Sequence, residues 1–217
     1  MTYKKIFIIG LPRSGTTSIC AAMLELGYNV AHTAYTQKAF DNACVIADTP
    51  IFADYKQLDS FYPNSKFIYL SRGSDKWIPS IKQLLQRMYV NVTRDDGGFN
   101  TIIKRCYRKT FAPFTLENIE DDDFLARCYL QHMNEVNQYF AERAQDLLTI
   151  DISEPTSYAK LLSFLSLRDI NKQGCFERMN SGGKVTAWKD LKHDKKVEST
   201  KNGRMSLLDY SVLLEKD

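Results

Sequence analysis

Between residues 10 and 18 the chain reads Gly10-Leu11-Pro12-Arg13-Ser14-Gly15-Thr16-Thr17-Ser18. Two glycines, a cation and a run of hydroxyls at this spacing suit the binding of a phosphate. Such a loop turns successive backbone N–H groups inward, and a helix that follows adds its own unpaired N–H groups and the positive end of its dipole. Gly10 and Gly15 permit the tight path, and Arg13 supplies a fixed charge. The nucleoside-triphosphate version of this loop, Gly-x-x-x-x-Gly-Lys-Ser/Thr, puts a lysine on the β- and γ-phosphates and a hydroxyl on magnesium. Gly10 and Gly15 keep that spacing, but Thr16 stands where the lysine belongs. A kinase or NTPase built on this loop lacks its main charge-neutralising side chain, so the donor expected here needs less compensation than a triphosphate.

The loop is only as good as the elements that hold it. Lys4 to Gly10 is a short apolar run that reads as a buried strand, and Thr16 to Leu26 carries Ile19, Ala22, Met23 and Leu26 at helical spacing. Gly27 follows where a helix end favours a left-handed residue. A second apolar run, Cys44 to Ala47, ends at Asp48-Thr49-Pro50 and leads into a helical pattern through Phe52, Tyr55, Leu58, Phe61 and Tyr62. Lys66 to Leu70 reads as the next strand, Ser71 to Ser74 as a loop and Asp75 to Met88 as a helix. Three strand-then-helix units predict an α/β fold, a central parallel sheet flanked by helices. Val90 to Asp123 is expected to hold loops and short helices. Asp121-Asp122-Asp123 suits the N-cap and first turn of a long helix through Ala144 better than a metal site. Leu147 to Ile152 reads as a further strand and Ser157 to Leu167 as a helix.

Composition narrows the classes further. The 217 residues are 44% hydrophobic and 25% charged, an ordinary globular balance that fits one domain over 1–217. The net charge of +3 is too small for wholesale nucleic-acid binding, so any anion site is local. No apolar run approaches the roughly 20 residues that span a bilayer, so no membrane partner is expected. The N-terminal apolar run leads into a turn and not into a cleavage site, which argues against a signal peptide. Five scattered cysteines, without Cys-x-x-Cys spacing, read as reduced thiols of a cytoplasmic protein and not as a metal site.

Pro12-Arg13-Ser14-Gly15-Thr16-Thr17 resembles, position by position, the 5′-phosphosulfate loop of the sulfotransferases that use 3′-phosphoadenosine 5′-phosphosulfate (PAPS), in the arginine form seen in tyrosylprotein sulfotransferases. Their second signature is a strand that ends in Arg, with a Ser eight residues later on the next helix. Here Arg72 ends such a strand and Ser80 lies eight residues on. Both side chains are placed to converge on one anion at the sheet edge. The resemblance covers residues 4–88 clearly and 147–190 loosely. It departs at Arg72-Gly73-Ser74, where the family usually continues Arg-Asp-Pro. It implies a P-loop-like sulfotransferase fold, PAPS as donor, the 3′,5′-bisphosphate as product, and no metal. Pro12, Arg13, Ser14, Gly15, Thr16, Thr17 and Ser18 would then hold the phosphosulfate, and Arg72 and Ser80 the 3′-phosphate. Gly182, Gly183 and Lys184, followed by Trp188 and Lys189, resemble the family's late basic-glycine loop. They open a stretch, Lys184 to Arg204, with seven basic and three acidic residues, so residues 180–206 are expected to close over the nucleotide or to form a solvated tail.

Transfer of a sulfuryl group also needs a base for the acceptor's proton. His32 and Asp48 compete for that role, since both follow short apolar segments that would end at the carboxyl edge of the sheet. Arg13 is the expected stabiliser of the leaving group. His132 and His193 have weaker claims, Tyr55 and Lys56 are possible acceptor contacts, and Trp77 reads as a packing residue. A small-molecule or carbohydrate acceptor, offering a hydroxyl or amine, is expected against residues 33–43 and an insertion at 88–123, where Tyr35, Phe40, Tyr89, Phe99, Arg105 and Tyr107 stand. Two other readings stay open: a nucleotide-dependent kinase with a degenerate loop, and a non-catalytic nucleotide-binding domain of the same fold.

Overall fold

The computed structural model describes residues 5–167, 176 and 187–199. Five short strands form one sheet: β1 (Ile6–Ile8), β2 (Val30–Ala31), β3 (Val45–Ile46), β4 (Lys66–Leu70) and β5 (Leu147–Ile150). Their spatial order is β2-β3-β1-β4-β5 and every pairing is parallel. Phe7 of β1 stands opposite Ile46 on one side and Phe67 on the other. The α/β architecture with a parallel sheet between helices is the one the strand-helix alternation predicts.

A parallel sheet needs cover on both faces, and alternation along the strands sorts the side chains between them. Phe7, Ile46, Phe67 and Tyr69 pack on one face under α3 (Ile51–Phe61), α4 (Ser74–Thr93), α5 (Thr101–Thr110) and α7 (Asp122–Tyr139). Ile6, Ile8, Val45, Ile68 and Leu70 pack on the other, under α1 (Thr16–Glu25) and α8 (Ser157–Phe164). The order reverses at β1: the chain moves from β1 out to β2, returns through β3, and crosses to β4. The loop after β1 therefore opens at the switch point of the sheet, where ligands of open α/β folds bind. Gly10 makes this possible by its lack of a side chain, since a Cβ there would lie 2.7 Å from Leu70 Cβ and 2.8 Å from Leu70 N.

Some boundaries differ from the sequence expectation, for local reasons. The helix expected to stop at Met88 runs to Thr93, because Val92 extends its buried face. The expected irregular stretch holds α5 and α6 (Leu116–Glu120), capped by the Asn100 and Thr115 side chains. A short α2 (Gln37–Asn42), capped by Thr36, is too brief to declare a period. The long helix begins where the acidic run predicts, with Asp121 accepting from the amide of Asp123, but it ends at Tyr139, and a 3₁₀ segment (Ala141–Asp146) leads into β5. Residues 187–199 run beside the β2 edge, where the Val30 amide donates to Lys195 O and the Val197 amide to Val30 O. Among the described residues no helix is long and apolar enough to cross a membrane.

Candidate functional site

The loop after β1 is held open by contacts from three other segments. Arg13 takes the left-handed conformation at φ 72°, and Gly15 follows at φ 103°. Ser14 closes the turn inside, its amide and its Oγ both donating to Leu11 O at 3.2 and 2.6 Å. The indole of Trp77, from α4, donates to Pro12 O at 3.0 Å. Arg72, just beyond β4, donates from Nη1 to Arg13 O at 2.6 Å. The carbonyls of the loop are thus spent on the protein. The amides of Arg13, Gly15, Thr16 and Thr17, by contrast, donate to no group among the described residues. The first helical carbonyl used is Gly15 O, by Ser18 and Ile19, so these amides point outward from the start of α1, as the capping arithmetic of a helix N-terminus requires.

Cations gather at the same edge. Arg13 Nε donates to Ser80 Oγ at 2.8 Å. Burial, and then the charges of Arg87 and Arg72, push the Arg13 guanidinium below its ordinary pKa. Arg72 is itself fixed from behind, because its amide donates to Tyr129 Oη at 2.8 Å. Tyr129 packs against Trp77 with ring centroids 4.8 Å apart. A cavity of about 460 Å³ adjoins the loop, lined on the loop side by Ser14, Gly15 and Ser18 and on the β4 and β5 side by Arg72, Lys76 and Asp151.

On the other flank of the loop stand the two candidate bases. His32 follows β2, and its Nε2 lies 3.1 Å from Thr17 Oγ1. Asp48 follows β3 at φ 52°; its Oδ2 lies 3.4 Å from the Thr16 hydroxyl and its Oδ1 accepts from Thr49 Oγ1 at 3.1 Å. Burial lowers the pKa of His32, with the Asp48 carboxylate opposing that shift and Lys196 adding to it. Trp188 stacks on the imidazole, centroids 5.4 Å apart. Loop, Arg72, Ser80, His32 and Asp48 are therefore brought to one edge of the sheet.

Other candidates lie elsewhere. Arg105 is tied to Asp54, a carboxylate 1% exposed, through bonds of 2.7 and 2.6 Å. Tyr55 and His132 are buried together, lining with Lys56 a separate cavity of about 300 Å³ between α3 and α7. His193 contacts Asp194 at 3.1 Å. Gly183 and Lys184 lie outside the described residues, as does most of the expected closing segment 180–206. Sequence reasoning missed Lys76, Asp151 and Tyr129, and it placed Trp188 in the expected nucleotide-closing stretch and not against His32. Lys76 is legible in retrospect, one helical turn before Ser80, and Asp151 as an acid just past a strand. Tyr129 reaches the site from a distant segment with no local signal.

A family model described as a sulfotransferase domain matches residues 5–38 and 31–185. No curated protein matches the chain. The family match takes in the loop after β1, both strand-end residues and all five strands, and the chain belongs to the sulfotransferase family.

Proposed function

We propose that the chain moves a sulfuryl group from PAPS to a hydroxyl or amine of a small-molecule or carbohydrate acceptor. The observation that carries this reading is the set of four loop amides, Arg13, Gly15, Thr16 and Thr17, without acceptors among the described residues. Buried-edge N–H groups of this kind want an oxyanion. The residues present suit the donor: amides and one arginine for a phosphosulfate, Arg72 for a second phosphate, and no lysine of the triphosphate type.

In the reaction the acceptor oxygen or nitrogen forms a bond to sulfur as the bond from sulfur to the bridging phosphate oxygen breaks. The bisphosphate departs with the electron pair. Arg13 and the loop amides stabilise the growing charge on that oxygen, and each such donor is worth about 10²–10³ in rate. His32 takes the acceptor's proton. Its buried imidazole is neutral near pH 7, while Asp48, engaged by two threonine hydroxyls, stabilises the imidazolium that forms. We read the chain as cytoplasmic on Cys20, Cys44, Cys106 and Cys128, the thiols that are free among the described residues.

Calorimetry with adenosine 3′,5′-bisphosphate tests the donor assignment. Micromolar binding that collapses in Arg72→Ala is expected; absence of binding by the native chain rejects the reading. Binding without transfer to any hydroxyl or amine in a broad acceptor screen would instead mark a non-catalytic domain.

A further inference from the structure

We propose that Trp188, locked in place by Lys196, is a positioning residue for the base: it fixes the plane of the His32 imidazole so that a bare Nε2 faces the loop after β1. This inference rests on the reading of His32 as the base. The imidazole follows β2, a strand of two residues, which does little by its own pairing to hold a ring still. An imidazole that turns about its side-chain bonds presents the accepting nitrogen to a reacting hydroxyl for only part of the time, and lost orientation is a direct cost in rate. The hold comes instead from a segment far along the chain.

Residues 187–199 form a strap across His32. Two residues before the histidine, Val30 makes a parallel bridge to Lys196, its amide donating to Lys195 O at 3.0 Å and its carbonyl accepting from the Val197 amide at 2.8 Å. One residue after it, Thr33 Oγ1 lies 2.5 Å from Ser199 Oγ. The backbone is therefore tied on both sides of the ring. Over the ring itself lies Trp188, with 5.4 Å between centroids and 29° between planes. The indole is held in turn. Lys196 Nζ stands 4.9 Å from its centroid and donates to Trp188 O at 2.5 Å and to Leu191 O at 3.0 Å, so one ammonium clasps both ends of the short turn Trp188–Asp190 and covers its aromatic side chain.

With the ring plane set, His32 Nε2 lies 3.1 Å from Thr17 Oγ1, on the flank of the loop. A bare Nε2 can accept from that hydroxyl, and the neutral ring then carries its proton on Nδ1. This is the tautomer a base needs, because the acceptor's proton goes to Nε2. Two charges act on the imidazole, the Asp48 carboxylate after β3 and the Lys196 ammonium of the strap, and Lys196 opposes protonation. The group that locks the indole thus also keeps the ring ready to take a proton.

Imidazole resonances of the ¹⁵N-labelled full chain test the proposal, since they need no acceptor. His32→Gln identifies the His32 signals among those of the three histidines. In the native chain near pH 7, two-bond correlations should place the ring proton on Nδ1, and the carbon-bound ring protons should be displaced upfield by the indole. Trp188→Leu should abolish the displacement and leave a mixture of tautomers; Trp188→Phe should keep both signatures. Lys196→Met should raise the pH at which the ring protonates by about 0.3 or more, the size of a single charge's effect through a largely aqueous path, and Lys196→Arg should leave it in place. Thermal melting checks that each variant folds. A native ring with its proton on Nε2, signatures unaltered in Trp188→Leu, or a protonation midpoint unmoved in Lys196→Met overturns the proposal. Retention of kcat in His32→Gln, or failure of the native chain to bind adenosine 3′,5′-bisphosphate, overturns instead the reading on which it rests, and neither result shows in the imidazole signals.

Discussion

Arg72 Nη1 donates to the carbonyl of Arg13 at 2.6 Å, joining two segments 59 residues apart in sequence. The consequence is mechanical as well as electrostatic. Arg13 is in a left-handed conformation that costs a residue with a Cβ about 1 kcal/mol or more. The guanidinium that caps its carbonyl helps to hold it there. The cation expected to bind one end of a nucleotide therefore also shapes the loop expected to bind the other.

The same loop is braced by Trp77, and the brace is testable apart from the chemistry. Trp77→Phe keeps an aromatic ring near Tyr129 but removes the donor to Pro12 O together with part of a fully buried ring system. Unfolding in urea should show a loss of about 2 kcal/mol or more, the net worth of one hydrogen bond plus the cavity left by the smaller ring. Affinity for adenosine 3′,5′-bisphosphate should fall with it. Unchanged stability would mean that the indole contact does not hold the loop.

Arg105 is expected to matter for folding and not for the acceptor. Removing it leaves the carboxylate of Asp54, 1% exposed, without its bidentate partner. Such an uncompensated buried charge costs about 3–5 kcal/mol. Arg105→Ala should therefore lower the urea midpoint strongly, and Arg105→Lys should recover part of the loss, since an ammonium cannot reproduce the fork. A variant that folds normally but loses acceptor affinity would return Arg105 to the acceptor pocket.

For His32 the sign of the pH dependence follows from its surroundings. Burial lowers its pKa from the ordinary 6.5, so the imidazole stays unprotonated into mildly acid solution. The acidic limb of kcat/KM, which reports the free enzyme's base, should then lie below about 6.5. Because the Asp48 carboxylate raises this pKa, Asp48→Asn should move the limb further toward acid. His32→Gln should lower kcat by about 10²–10⁴ while nucleotide affinity holds. The stability conferred by keeping the buried ring neutral is present above 6.5 and is lost as pH falls through the depressed value, since the unfolded chain takes up protons that the folded chain does not. A limb unmoved by Asp48→Asn would take His32 out of the role.

Much of this site is legible in sequence because its central parts are local. The loop from Gly10 to Ser18 lies between a run of apolar residues and a helical period, and Lys66 to Arg72 leads into a helix with a clear apolar stripe. Strand, loop and helix N-terminus are adjacent in the chain, so their chemistry can be read together. What is not legible is what arrives from elsewhere. Tyr129 reaches the Arg72 amide across 57 residues, and Trp188 reaches His32 from a segment that the sequence assigns to the nucleotide or to solvent, not to the imidazole. The two-residue strands β2 and β3 are recognisable only by the apolar runs around them, and α2 spans six residues, too few for a period. Ser80 shows a finer limit: the eight-residue spacing places it correctly beside the loop, but the hydroxyl's partner, Arg13, is a matter of side-chain geometry that spacing does not encode.

The central claim is that the unpartnered amides at the start of α1 receive the phosphate of an activated sulfate donor. Amide resonances of the ¹⁵N-labelled chain, followed during titration with adenosine 3′,5′-bisphosphate, test it directly. The signals of Arg13, Gly15, Thr16 and Thr17 should move downfield together as hydrogen bonds to the 5′-phosphate form, and Arg72→Ala should abolish the movement at the same nucleotide concentration. Saturable binding that leaves these four amides unmoved would contradict the claim.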